Sequence, residues 1–383
     1  MKILICPDKF KESLTAEKVA ESIKIGILKD WKHAECTIMP MADGGEGTVS
    51  AIVAATKGKT EKLTVHDPLM RPVDAFYGIS GDGKTAVIEM AAASGLALVK
   101  PEERNPMITT SYGTGELIQN AIDKGCESII IGIGGSATVD GGVGMAQAMR
   151  IRFLDENGHE IKPGGGNLRS VKHIDMSGID KRIAKCKITV ACDVTNVLTG
   201  REGAAYVFGP QKGATQEQVK VLDDSLVYLS NLIRRQINID ISSVSGGGAA
   251  GGMGAGIVAF LGGEIKKGFE VISEIVKLEE YIKSSDLIIT GEGKIDGQTA
   301  YGKTPAGIAG IAIKYNKPVI AFAGALGAGY EKLYENGFSA IIPIADRPMS
   351  LEESMKVTGV LLEEAASRMI KVMGIGRKIK NYL

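Results

Sequence analysis

Glycine constrains this chain more than any other residue: there are 50 among 383 residues, gathered in clusters that follow short apolar runs. That is well above the usual share of about 7%, and clustering marks places where the backbone needs left-handed conformations or very close approach. The clusters are Asp43-Gly-Gly-Glu-Gly47, Gly132-Ile-Gly-Gly135, Asp140-Gly-Gly142, Pro163-Gly-Gly-Gly166, the run from Gly246 to Gly256, and Gly291-Glu-Gly293. The apolar run Lys2-Ile-Leu-Ile-Cys6 stops at Pro7-Asp8, and Ser13 or Thr15 then starts a helix to about Asp30. The same strand, loop, helix order recurs at Ser128 to Ile133, with a helix near Gly144 to Arg150, and at Leu287 to Thr290. Pro318 to Phe322 and Ala340 to Ile344 continue it, ahead of a helix from Leu351 to about Met373. Strands apolar on both faces that alternate with helices predict a parallel sheet covered by helices.

Between about 63 and 284 the texture changes. Val73 to Tyr77 and Ala86 to Met90 are strand-like, and Gly81-Asp-Gly83 between them signals a hairpin. The expected class is therefore α/β: a Rossmann-like parallel-sheet domain with a second, mixed α/β domain inserted and an active-site cleft between them. The first domain is expected over 1–62 plus 285–383 and the inserted one over 63–284, with 110–150 assignable to either.

Composition excludes several classes. Lys plus Arg and Asp plus Glu both total 45, so no electrostatic footprint for nucleic acid or an anionic membrane is present. The five cysteines show no CxxC spacing, which suits free thiols and a cytoplasmic location. No export signal and no 18-residue uncharged apolar segment is read. The four histidines (His33, His66, His159, His173) form no zinc-ligand pattern, and no GxSxG elbow is present. A small ligand is the default partner, and a homodimer is left open.

The chemistry-bearing residues sit at predicted strand ends, where ligands bind open α/β sheets. Asp43 and Glu46 lie among glycines that allow backbone N–H groups close to a phosphate, and such carboxylates suit Mg²⁺; a tight turn with solvated acids explains this loop equally well. The loop Gly132 to Gly142 offers Gly134, Gly135, Ser136 and Thr138 as a phosphate cradle and Asp140 as a metal ligand. It matches neither the GxxxxGK[ST] loop nor GxGxxG. Gly291, Glu292, Gly293, Asp296 and two lysines fill a third loop, which as an alternative reads as an ordinary charged surface segment. Lys11 follows the first strand, while Arg71 and Lys212 each supply a cation for a carboxylate or phosphate. Asp193 and Asn196 end another strand, where a turn or helix cap accounts for them as well.

The motifs Pro7 to Ala16, Met41 to Thr48, Asp67 to Val73, Thr110 to Glu116, Ile133 to Gly144, Phe208 to Ala214, Gly248 to Gly252 and Thr290 to Asp296 occur in order over nearly the whole chain. Together they resemble the bacterial glycerate kinase family of the type that makes 2-phosphoglycerate. The family more often has Ser where Lys9 stands and Pro where Val197 stands. The resemblance implies transfer of the γ-phosphoryl of ATP to D-glycerate with Mg²⁺. On that reading ATP phosphates lie on the glycine loops, and Asp43, Asp140 and Glu292 form the set from which the metal ligands come. Asp193 or Asp296 orients the hydroxyl as general base, and Lys11, Arg71 and Lys212 clasp the carboxylate or the transferring phosphoryl. The alternatives are a kinase giving 3-phosphoglycerate or acting on another small hydroxy-acid, and a non-catalytic sugar-acid sensor.

Overall fold

The computed structural model describes residues 1–42, 44–299 and 303–379, the side chains of 376–379 excepted. It forms two compact units, 1–43 with 272–383, and 44–271.

The first unit is built on a five-stranded sheet in the order Ala340–Pro343, Val319–Leu326, Leu287–Ile295, Lys2–Ile5, Glu35–Ile38. All pairings are parallel, with Ile3 opposite Leu287 on one side and Cys36 on the other. Ile3, Leu4 and Ile5 are wholly buried, as a central parallel strand requires. Helices Ala16–Asp30 and Leu351–Ile379 pack together on one face of this sheet, where Ile23, Ile27, Leu362 and Ala366 enter the core. Gly26 makes that crossing possible, because a Cβ there would lie 2.2 Å from the Glu363 carbonyl oxygen.

The second unit carries a mixed six-stranded sheet in the order Glu264–Lys266, Lys187–Ala191, Ser128–Gly132, Thr85–Glu89, Pro72–Ile79, Lys59–His66. The first four strands run parallel and the last two antiparallel. Residues 110–150 lie in this unit, and helix Thr48–Thr56 joins it by packing on Pro72–Ile79 and Thr85–Glu89. Gly78 gives that helix room, since a Cβ there would come 2.7 Å from Val53. A small hairpin, Arg152–Leu154 with His173–Asp175, completes the strands. The α/β class, with a parallel sheet and a second mixed sheet, agrees with the sequence reading. Among the described residues no helix is long and apolar enough to cross a membrane.

Candidate active site

In the second unit, strand Ser128–Gly132 ends in the loop 133–142. A Cβ on Gly132 would sit 2.2 Å from the Gly44 carbonyl oxygen, so glycine is what lets two loops pack backbone on backbone here. The loop is held from inside by two charges. Asp140 is completely buried. Its Oδ2 accepts from the Ser111 N–H (2.8 Å), the Ser111 hydroxyl (2.8 Å) and the Gly144 N–H (3.3 Å), and its Oδ1 from the Gly142 N–H (3.1 Å). Ser111 Oγ in turn accepts from the Met145 N–H at 2.9 Å, which ties the ends of two helices to one carboxylate. Burial raises the Asp140 pKa and these donors oppose the rise.

Lys212 is the second charge, only 2% exposed, in a short turn (Pro210–Lys212) that ends at Gly213 in the left-handed region. Its Nζ donates to Ser136 Oγ and to the Thr138 carbonyl, both at 2.7 Å. Burial drives its pKa down to about 7, with Asp140 pulling it back up. Gly251, at φ +68°, backs the loop: a Cβ there would fall 1.9 Å from the Thr138 carbonyl oxygen. The glycine run 246–256 is thus a surface shaped to receive this loop.

The outer edge of the loop is different. Gly134 and Gly135 are exposed, and among the described residues the N–H groups of Gly134, Gly135 and Ser136 donate to nothing. The Gly47 loop contrasts with it, because Glu89 Oε1 accepts from the N–H groups of Gly47 (3.1 Å) and Val49 (2.9 Å) at the start of helix Thr48–Thr56. Asp43 lies outside the described residues.

The other candidates of this unit stand as follows. Arg71 Nε donates to Asp67 Oδ2 at 2.7 Å and its Nη1 to Glu103 at 3.0 Å. Asp193 is exposed, and its Oδ1 accepts from the Gly268 N–H at 2.9 Å. Thr138 is buried with its hydroxyl unpartnered.

In the first unit, strand Leu287–Ile295 carries the third loop. Gly291 packs against the Phe322 carbonyl, 2.6 Å from where its Cβ would be, and the backbone of Phe10 and Lys11 lies in ordinary contact distance of Gly293. Glu292, between them, is 8% exposed. Its Oε1 accepts from the Thr299 hydroxyl at 2.5 Å and faces Lys303 Nζ at 3.7 Å. Burial raises its pKa, against the Thr299 hydrogen bond and the charges of Lys303 and Lys11. Asp296 is the opposite case: Lys294, 3.2 Å away, holds its carboxyl below the usual range. Lys11 is exposed. Among the described residues no group of three or more His, Cys, Asp or Glu side chains is placed to hold a metal ion.

Residues 3–374 match the glycerate kinase family. The chain belongs to that family. It is 51% identical to a glycerate kinase of Halalkalibacterium halodurans over 364 residues, covering 95% of this chain and 96% of the relative. It is 47% identical to the glycerate 2-kinase of Escherichia coli over 378 residues, covering 99% of each. A crystal structure assigned to a glycerate kinase 2 of Salmonella typhimurium superposes with a TM-score of 0.91 at 49% identity, again over 99% of each chain.

Within this family frame, two residues have positions that the sequence reading did not single out, Ser111 and Glu89, while Thr299 and Lys303 are counted there in the third loop without a role of their own. Ser111 had a signal, since a serine directly before a helix is a capping position. Glu89 had none, because its partners are 40 and 42 residues away.

Proposed function

We propose that this protein transfers the γ-phosphoryl group of ATP, as its Mg²⁺ complex, to the 2-hydroxyl of D-glycerate. The observation that carries this reading beyond family membership is the uncommitted N–H set of Gly134, Gly135 and Ser136 beside buried Lys212. Successive backbone donors left without protein acceptors can bind an anionic oxygen cluster. We assign the glycerate carboxylate to them. An α-hydroxyl is bonded to the carbon next to that carboxylate, so a 2-hydroxyl is brought beside Ser136 Oγ, whereas a 3-hydroxyl is one carbon further out.

The residues present fit a magnesium ion of the substrate-bridging kind, which takes one or two carboxylates and fills its sphere with water and phosphate oxygens. Glu292 and Asp296 would hold it. When bound it supplies neutralisation of charge on the transferring phosphoryl. Glu292 is kept ready by Thr299, which occupies Oε1; among the described residues no hydrogen bond falls on Oε2. Lys303 and Lys11 provide cationic charge for phosphate oxygens at the same loop. Asp140 is read as scaffold, because protein donors take up both its oxygens.

The deciding experiment is ³¹P NMR of the products formed from Mg·ATP and D-glycerate, with a control lacking glycerate. Growth of 2-phosphoglycerate together with ADP is expected. A 3-phosphoglycerate signal keeps the kinase and overturns the position, and absence of turnover favours another hydroxy-acid or a sensor.

A further inference from the structure

We propose that Ser136 and Lys212 form a proton relay that takes up the proton of the acceptor hydroxyl during phosphoryl transfer. The inference rests on the glycerate kinase reading given above and goes beyond it by naming where the proton goes.

The geometry has three parts. Lys212 Nζ lies 2.7 Å from Ser136 Oγ, a distance at which a proton passes between them. The second contact of Nζ is the Thr138 carbonyl, an acceptor only, so it fixes the amine without competing for the proton. The ammonium has three N–H donors and the described residues offer it two acceptors. In the neutral amine one N–H goes to Thr138, and the lone pair faces the Ser136 O–H, which then donates to it. Burial acts in the same direction, lowering the Lys212 pKa to about 7. The charged group that acts on Lys212 is Asp140, on the loop it holds. Ser136 itself is 6% exposed; its hydroxyl touches the buried amine, and its chain neighbours Gly134 and Gly135 are exposed.

In the step, the acceptor hydroxyl oxygen forms a bond to the γ-phosphorus while the bond from that phosphorus to the bridging oxygen breaks. ADP leaves with that electron pair. The hydroxyl proton passes to Ser136 Oγ as Ser136 gives its own proton to the Lys212 lone pair, and the resulting ammonium returns the proton to solvent after product leaves. Nothing is oxidised or reduced. A lysine with a lowered pKa beside a serine is a known way of making a base at neutral pH.

A structural role for the same pair predicts something different. Lys212 would then serve only to hold the loop, and activity would follow the fraction of correctly placed loop whatever its protonation state. The test is the pH profile of kcat and kcat/KM with Mg·ATP and D-glycerate for the wild-type protein, S136A, S136T and K212R.

On the relay, wild-type kcat/KM falls about tenfold per pH unit below about 7, because a protonated Lys212 cannot accept a proton. S136A keeps the backbone N–H, so KM for glycerate stays within about threefold while kcat drops at least about 100-fold and the acidic limb disappears. S136T restores the hydroxyl and with it the limb. K212R keeps charge and donors but cannot act as a base, and behaves like S136A. If K212R does not fold, S136A against S136T decides alone. A kcat for S136A within about threefold of wild type, or an acidic limb that survives in S136A, overturns the relay. A wild-type protein that makes no phosphoglycerate is a separate outcome: the functional reading fails, and the relay falls with it.

Discussion

The two charged loops of this protein are built in opposite ways. In the second unit Asp140 and Lys212 are sealed inside, each committed to backbone and hydroxyl partners. In the first unit Asp296 and Lys294 meet at the surface, and Lys294 is 65% exposed. Burial makes the inner charges costly: each is held by hydrogen bonds, and each has its pKa pushed toward the neutral form. Water screens the outer pair, so its charges remain available to a ligand and contribute little to stability. The difference teaches that acids and lysines in similar glycine-rich contexts take their partners and their protonation from depth, which a motif does not display.

Truncating the deepest acid should break this contrast most forcefully. Asp140→Ala leaves the N–H groups of Ser111, Gly142 and Gly144 buried without their acceptor. A loss of about 3 kcal/mol or more is expected in urea denaturation followed by circular dichroism. An unchanged midpoint would show that the loop does not depend on this carboxylate. Gly251→Ala comes next, because the added Cβ meets the Thr138 carbonyl and the residue must stay at φ +68°. We expect about 2 kcal/mol of destabilisation, with glycerate KM rising as the loop shifts. A smaller effect belongs to Lys212 and pH. Its folded pKa of about 7 lies below the ordinary lysine value of 10.5, so between those values the unfolded chain binds more protons and stability rises with pH. Lys212→Met should flatten that rise, and a parallel curve would place the titration elsewhere.

The sequence carried the strand, loop, helix order well, because the pattern of wholly apolar runs followed by glycine has few structural solutions. The strands starting at Lys2, Ser128 and Leu287 are all parallel members of sheets. The candidate site was legible by loop but not by role. Lys212 reads as one more basic residue in Gly209-Pro-Gln-Lys-Gly213, yet it points inward. Its partners, Ser136 and Thr138, lie more than 70 residues away in the chain. Arg71 likewise reads as a free cation, and its acceptors are Asp67 nearby and Glu103 far along the sequence. Periodicity and motif spacing report local geometry, whereas burial and pairing are set by which distant segments meet.

The remaining predictions sharpen the outer half of the comparison. Glu292→Gln keeps the shape and the Thr299 hydrogen bond but removes the charge, so stability should change by less than about 1 kcal/mol. The Mg²⁺ concentration needed for half-maximal rate should rise about tenfold or more, checked by titrating the metal at fixed ATP. An unchanged Mg²⁺ requirement would remove Glu292 from the metal site. Asp296→Asn should have the least effect on stability of all. Lys294 lowers the Asp296 pKa, so the carboxylate stabilises the fold above the unfolded value of 3.8 and loses that contribution only as pH falls through the lowered one. At neutral pH the pair is screened, and the thermal midpoint of Asp296→Asn should match wild type. Turnover should nevertheless fall if, as proposed, the carboxylate at this loop holds the metal. A variant that loses stability but keeps turnover would reverse the assignment and make the outer pair as structural as the inner one.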